Sequence, residues 1–75
     1  MEFTQELNAR GLNCPLPILC TRKGLAALAS GQVLKVRATD PGSVKDMQAF
    51  VKQTGNELLS TAESAGEFVF YLKKG

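Results

Sequence analysis

The sequence predicts a two-layer α/β sandwich of the α+β class, with elements in the order β-α-β-α-β-β and both helices on one face of the sheet. Three observations carry this. Segments of strand-like alternation take turns with segments of helical spacing along the chain. Turn signals fall between them at Ser30-Gly31, Asp40-Pro41-Gly42, Gly55-Asn56 and Ser64-Ala65-Gly66. Strand–helix–strand crossovers are right-handed, which lays both helices against the same sheet face and leaves the other open.

Each element has its own reason. Phe3 to Asn8 alternates weakly, with Phe3, Gln5 and Leu7 on one side, and reads as a short strand. Arg10 to Asn13 is a turn. Pro15 to about Ala29 reads as a helix, because proline suits a first turn, where its missing N–H has no intrahelical partner. Cys14 precedes a proline, is pushed out of the helical region, and suits an N-cap. By helical spacing Ile18, Thr21, Leu25, Leu28 and Ala29 form the core stripe of this helix. Gln32 to Ala38 is a strand with Leu34, Val36 and Ala38 facing one way and Lys35 and Arg37 the other. Ser43 is expected to cap the second helix, with Asp46 three residues on in a weak capping-box pattern. Val44, Met47, Phe50 and Val51 form its apolar face, and Gly55-Asn56 ends it. Glu57 to Glu63 and Glu67 to Lys73 are two strands of a hairpin. Phe70 and Leu72, or their neighbours Val69 and Tyr71, line its inner face.

Size and composition narrow the function. A chain of 75 residues makes one domain, 1–75, and buries only roughly 60–65% of its unfolded surface. A 44% hydrophobic and 21% charged composition is that of an ordinary globular protein. No apolar run approaches a membrane span, and the first residues lack the pattern of a signal peptide, so the cytoplasm is the default location with no membrane partner. A net charge of +2 is too weak to argue direct nucleic-acid binding. Two cysteines without a histidine do not make a structural zinc site, so no metal is expected, and no other cofactor either. There is no phosphate loop and no nucleophile with a histidine base.

The chemistry that remains is a thiol. Cys14 sits directly before a helix whose first turn carries Pro15 and Pro17, which aims its sulfur at the positive end of the helix dipole, where a thiolate is favoured. The prolines strip that turn of amide donors and leave Leu16 as the one first-turn N–H for the sulfur. Asp40 shares the edge, since both helices start just after parallel strands and ligands of open α/β sheets gather at the carboxyl ends of strands. Its carboxylate opposes the helix field, so a modest fall in the thiol pKa is expected. Cys20 lies roughly 9 Å further along the helix axis, beyond the ~7 Å Cα limit for a disulfide, and reads as a bystander. Leu16, Leu19 and Cys20 fall off the core stripe close to Cys14, with Arg22 and Lys23 at their border. Such a patch suits docking, although a wider packed face or scattered surface leucines would use the same residues.

Gly11-Leu12-Asn13-Cys14-Pro15-Leu16-Pro17 resembles the C-P-x-P signature of the TusA (SirA-like) sulfur-carrier family. The similarity covers nearly the whole chain, through Arg22-Lys23, Gly31, the Asp40-Pro41 turn, Asp46, Gly55 and the closing Phe68 to Lys73 segment. The resemblance implies a βαβαββ fold like that of the C-terminal domain of translation initiation factor 3, with a mixed four-stranded sheet in the order 1-2-4-3. It implies a sulfurtransferase that works as a protein carrier. By this resemblance Cys14 would take sulfane sulfur as a persulfide from a cysteine desulfurase or rhodanese, and pass it to a DsrE/TusD-type protein thiol. Pro15, Leu16, Pro17 and Asp40 would support the turn, and Arg10, Leu19, Arg22 and Lys23 would meet the partner. Members of the family serve tRNA thiolation, molybdenum-cofactor sulfur supply or sulfur oxidation, and some are linked to selenium metabolism. The stretches Ala38 to Asp46 and Thr54 to Leu59 look most like members from sulfur-metabolising bacteria. Two rival readings of the residues stay open: a non-catalytic protein- or RNA-interaction module, and a redox sensor using oxidation of Cys14.

Overall fold

The computed structural model describes residues 2–13 and 16–75. Strand β1 spans Gln5–Ala9, helix α1 Leu16–Ala26, β2 Val33–Ala38, α2 Ser43–Thr54, β3 Glu57–Ser64 and β4 Glu67–Lys73. The sheet runs β1-β2-β4-β3. β1 lies parallel to β2, with Ala9 opposite Ala38, while β4 is antiparallel to both β2 and β3. This is the expected α+β sandwich with the expected strand order.

The two central strands and the two helical segments share the core between them. In β2, Leu34, Val36 and Ala38 are buried, and in β4, Phe70 and Leu72 are; Val69 and Tyr71 belong to the other face. Leu25 and Leu28 from the first helical segment and Met47, Phe50 and Val51 from α2 close over them. Each such large side chain contributes roughly 1.5–3 kcal/mol by leaving water. Gly24 sits in the last turn of α1, although glycine is a poor helix former, because α1 lies close on β2. A Cβ at Gly24 would stand 3.0 Å from Leu34 Cδ2.

α1 ends at Ala26, three residues before the expected Ala29. Its last turn tightens into i→i−3 bonds, Ala27 N–H to the Gly24 carbonyl (3.3 Å) and Leu28 N–H to the Leu25 carbonyl (3.0 Å). The tightening keeps Leu28 in the core but swings Ala29 out, so Ala29 is exposed and does not belong to the stripe. The Leu25 carbonyl also accepts from Lys74 Nζ at 2.7 Å. Lys74 exchanges backbone bonds too, donating to Gln32 O and accepting from Gly31 N, both at 2.8 Å. Lys74 is thus a cap that closes α1 from 49 residues away.

The face that the helices leave open is polar and cross-linked. Glu6 pairs with Lys35 (3.7 Å) and Arg37 (3.6 Å), and Glu67 pairs with Arg37 and with Arg10 (3.8 Å). Phe3 joins this face rather than the side of Leu7. It precedes β1, its ring centroid lies 6.4 Å from that of Tyr71, and Lys35 Nζ stands 5.2 Å from its centre. The hydrogen bond and charge of Arg37 hold the Glu67 carboxyl below its ordinary value, and Glu67 in turn raises the Arg37 guanidinium.

Candidate functional site

The strands β1 and β2 end side by side at Ala9 and Ala38, and the turns that follow them meet. Ala9 is fully buried, so the loop after β1 leaves from a fixed point. Its Leu12 N–H bonds back to the Ala9 carbonyl (3.3 Å), Leu12 packs on the core, and Gly11 takes φ +82°. That left-handed backbone is cheap for glycine and costly for most residues. The Gly11 N–H donates across to Thr39 Oγ1 at 2.9 Å, which ties this loop to the β2–α2 turn. The two turns therefore form one edge at the carboxyl end of the parallel strands.

The β2–α2 turn is built on Asp40. Its carbonyl accepts from Ser43 N (3.0 Å) and Ser43 Oγ (2.6 Å), and its carboxylate accepts from Gly42 N (3.2 Å). Ser43 is therefore not the helix cap. It is the first residue of α2, buried, and its hydroxyl donates backward instead of accepting from the helix. The N-cap position falls on Gly42, which makes no side-chain cap bond. Asp46 lies in the first turn of α2, where a carboxylate complements the helix dipole.

At the start of α1, Cys14 and Pro15 lie outside the described residues, and with them the expected cap geometry of the sulfur. The residues that follow are defined. The Leu16 amide donates to the Asn13 carbonyl at 2.8 Å. Pro17 is fully buried and its carbonyl accepts the hydroxyl of buried Thr21 at 2.8 Å, so the first turn of α1 is anchored in the core. Leu16 and Leu19 are each 45% exposed, as their place off the core stripe implied. Arg22 and Lys23 are exposed, and Cys20 is a half-buried free thiol. Leu16, Leu19 and Lys23 share a helix face by their spacing. Arg10 does not join them. Its Nε donates to Asn8 Oδ1 (3.0 Å) and its guanidinium reaches Glu67, on the open side of the sheet. Among the described residues no three His, Cys, Asp or Glu side chains gather as a metal site, and no helix is long and apolar enough to cross a membrane.

An exposed apolar helix start beside a buried, proline-stiffened turn, at the carboxyl edge of a β1-β2-β4-β3 sheet, can be compared with known proteins. The family model described as Sulfurtransferase TusA matches residues 5–74. The chain belongs to this family of sulfur carriers. It is 64% identical over 73 residues to the sulfur carrier protein TusA of Allochromatium vinosum, covering 97% of this chain and 96% of that one. The TusA of Pseudomonas entomophila is 44% identical over 68 residues, covering 91% and 85%. The putative sulfur carrier protein YrkF of Bacillus subtilis is 46% identical, but this chain spans only 40% of its length. The crystal structure of a SirA-like protein from Desulfitobacterium hafniense superimposes with a TM-score of 0.84, covering 96% of this chain and 99% of that one at 23% identity, which shows a shared fold. A sulfur carrier of this kind works with partner proteins.

Proposed function

We propose that residues 1–75 act as a single cytoplasmic carrier domain in which Cys14 holds sulfane sulfur as a persulfide and relays it between two partner proteins. The observation that carries this is the run Cys14-Pro15-Leu16-Pro17 leading into a helix anchored by buried Pro17, in a chain without histidine. The chemistry needs little else. The Cys14 thiolate attacks the outer sulfur of a donor persulfide. A bond forms from Cys14 to that sulfur, and the donor's inner sulfur leaves as a thiolate. An acceptor thiolate then attacks the sulfur held on Cys14, and the Cys14 thiolate leaves. Oxidation state is conserved overall and no acid–base residue is required. Exchange is fastest when the attacking thiol has a pKa near ambient pH, and a lower pKa improves the leaving group, so one mildly acidic thiol serves both halves.

The donor fits a cysteine desulfurase or rhodanese and the acceptor a DsrE/TusD-type thiol, in tRNA thiolation or a sulfur-oxidation relay. Leu16, Leu19, Arg22 and Lys23 supply the docking face: exposed leucines beside two cations suit an apolar partner surface with acidic residues at its rim. Arg10, held by Asn8 and Glu67, would stand at a separate border of the contact. The test is transfer from a persulfide-loaded cysteine desulfurase to the chain and to Leu19→Glu and Arg22→Glu variants. Slower loading of both variants supports the docking face, and unchanged loading removes it. Loading that survives Cys14→Ser overturns the carrier assignment of Cys14 itself.

A further inference from the structure

We infer that Thr39 is a positioning residue for sulfur transfer, acting through Gly11 on the loop that carries Cys14; the inference rests on the carrier role of Cys14. The described residues on either side of Cys14 and Pro15 are held at several points. Leu12 N–H returns to the Ala9 carbonyl and Leu12 packs on the core, and Leu16 N–H closes on the Asn13 carbonyl. Those ties belong to the strand, loop and helix that these residues themselves join. The Thr39 hydroxyl differs, because it comes from the neighbouring turn. It accepts the Gly11 N–H at 2.9 Å, 28 residues away in sequence.

The register explains why a side chain does this work. The parallel ladder ends at the Ala9–Ala38 pair. Beyond it the β1 chain turns at Gly11, with φ +82°, and its N–H no longer faces a backbone carbonyl of the ladder. Thr39 is the first residue past the end of β2, so its hydroxyl replaces the next rung. The turn it stands on is itself fixed: the Asp40 carbonyl holds both the backbone and the hydroxyl of buried Ser43 at the start of α2. A chain of bonds thus runs from α2 through Asp40 and Thr39 to Gly11, three residues before Cys14. Small donors reach a thiol from many directions. A protein donor must bring its persulfide in line with Cys14 while docked, so loop placement matters most for that step.

The experiment uses the full chain with Cys20→Ser, so that Cys14 is the reacting thiol, and compares Thr39→Val with Thr39→Ser. Loading is timed with a persulfide-loaded cysteine desulfurase and, separately, with inorganic polysulfide. Loss of one hydrogen bond predicts that Thr39→Val loads from the protein donor about 2- to 12-fold more slowly. Polysulfide loading stays at the parent rate, Thr39→Ser restores protein-donor loading, and Gly11 amide hydrogen exchange quickens in Thr39→Val alone. The inference is overturned if Thr39→Val loads from the protein donor at the parent rate, or if Thr39→Ser is as slow as Thr39→Val. It is also overturned if both donors slow equally, which marks general loss of structure. Should Cys14→Ser still load, the carrier reading falls by itself, while Gly11 exchange in the two Thr39 variants still reports whether the hydroxyl holds the loop.

Discussion

Replacing Lys74 with Met isolates a cap that spans the whole chain. Methionine keeps an unbranched apolar stem and removes the ammonium that donates to the Leu25 carbonyl at 2.7 Å. A hydrogen bond from a charged group contributes ~1.5–3 kcal/mol, and a cation near a helix C-terminus adds ~0.3–1 kcal/mol. Two features pull the value toward the lower end. The contact is only partly buried, and the Leu25 carbonyl keeps a second donor in Leu28 N–H at 3.0 Å. The expected loss is about 1.5 kcal/mol, which in a domain of this size lowers Tm by roughly 6–12 °C. Thermal melting followed by circular dichroism reads it, and urea melts should show a lower midpoint with an unchanged slope. Lys74→Arg, which retains a cationic donor, should recover most of the loss. A Lys74→Met protein melting within about 2 °C of the parent would refute the cap, because bonds of this class do not sum to so little.

Ala65 holds φ 51° beside Gly66 at φ 79° in the β3–β4 turn, so Ala65→Asn, which tolerates that backbone and completes an Asn-Gly turn, should stabilise by about 0.5–1 kcal/mol in urea melts. Glu67 has its carboxyl pKa lowered in the folded state by the Arg37 hydrogen bond, so its contribution is present above the ordinary glutamate value of 4.5 and lost as pH falls through the lower folded value. A Tm-against-pH profile should drop across that acid window in the parent and flatten there in Glu67→Gln; two parallel profiles would show that the pairing with Arg37 has no effect on folding. Met47 is fully buried on α2, and Met47→Ala should cost about 2–5 kcal/mol by calorimetry or denaturant melts, since the sheet beneath cannot collapse into the space.

Alternation and turn chemistry made most of the fold legible. Leu34, Val36 and Ala38 against Lys35 and Arg37 set the faces of β2 because side chains on a strand point to opposite sides in turn. Gly55, with φ 76° and its N–H on the Val51 carbonyl, ends α2 as its glycine implied. What stayed hidden depended on distant partners. Nothing local to Ala29 shows that α1 tightens at Leu25 and Leu28, because Lys74 takes part in that ending from 49 residues away. Phe3 alternates with Leu7 on paper, yet it precedes β1 and its ring meets Lys35 and Tyr71 on the other face. Ser43 looked like a cap by residue type, but the Asp40 carbonyl captures its hydroxyl first. At the candidate site, the exposure of Leu16 and Leu19 followed from helical spacing. The use of the Leu16 amide by Asn13 did not, since backbone bonds in a loop leave no pattern in side-chain order.

The same division applies to the two surfaces. On the open sheet face Glu6 is paired with Lys35 and Arg37, and Glu67 with Arg10 and Arg37. The start of α1 keeps its leucines in water instead. Burying two half-exposed leucines against a partner is favourable by hydrophobic transfer alone, as the proposed docking face requires.

Intact-mass measurement after loading reads the role of Cys14 as the sulfur carrier. The parent chain, Cys14→Ser and Cys20→Ser are each incubated with a sulfane donor, then measured before and after a thiol reductant. The parent and Cys20→Ser are expected to gain the mass of one sulfur atom and lose it on reduction, while Cys14→Ser gains nothing. A parent chain that takes up no sulfur, or a Cys14→Ser chain that takes it up as the parent does, would contradict that role.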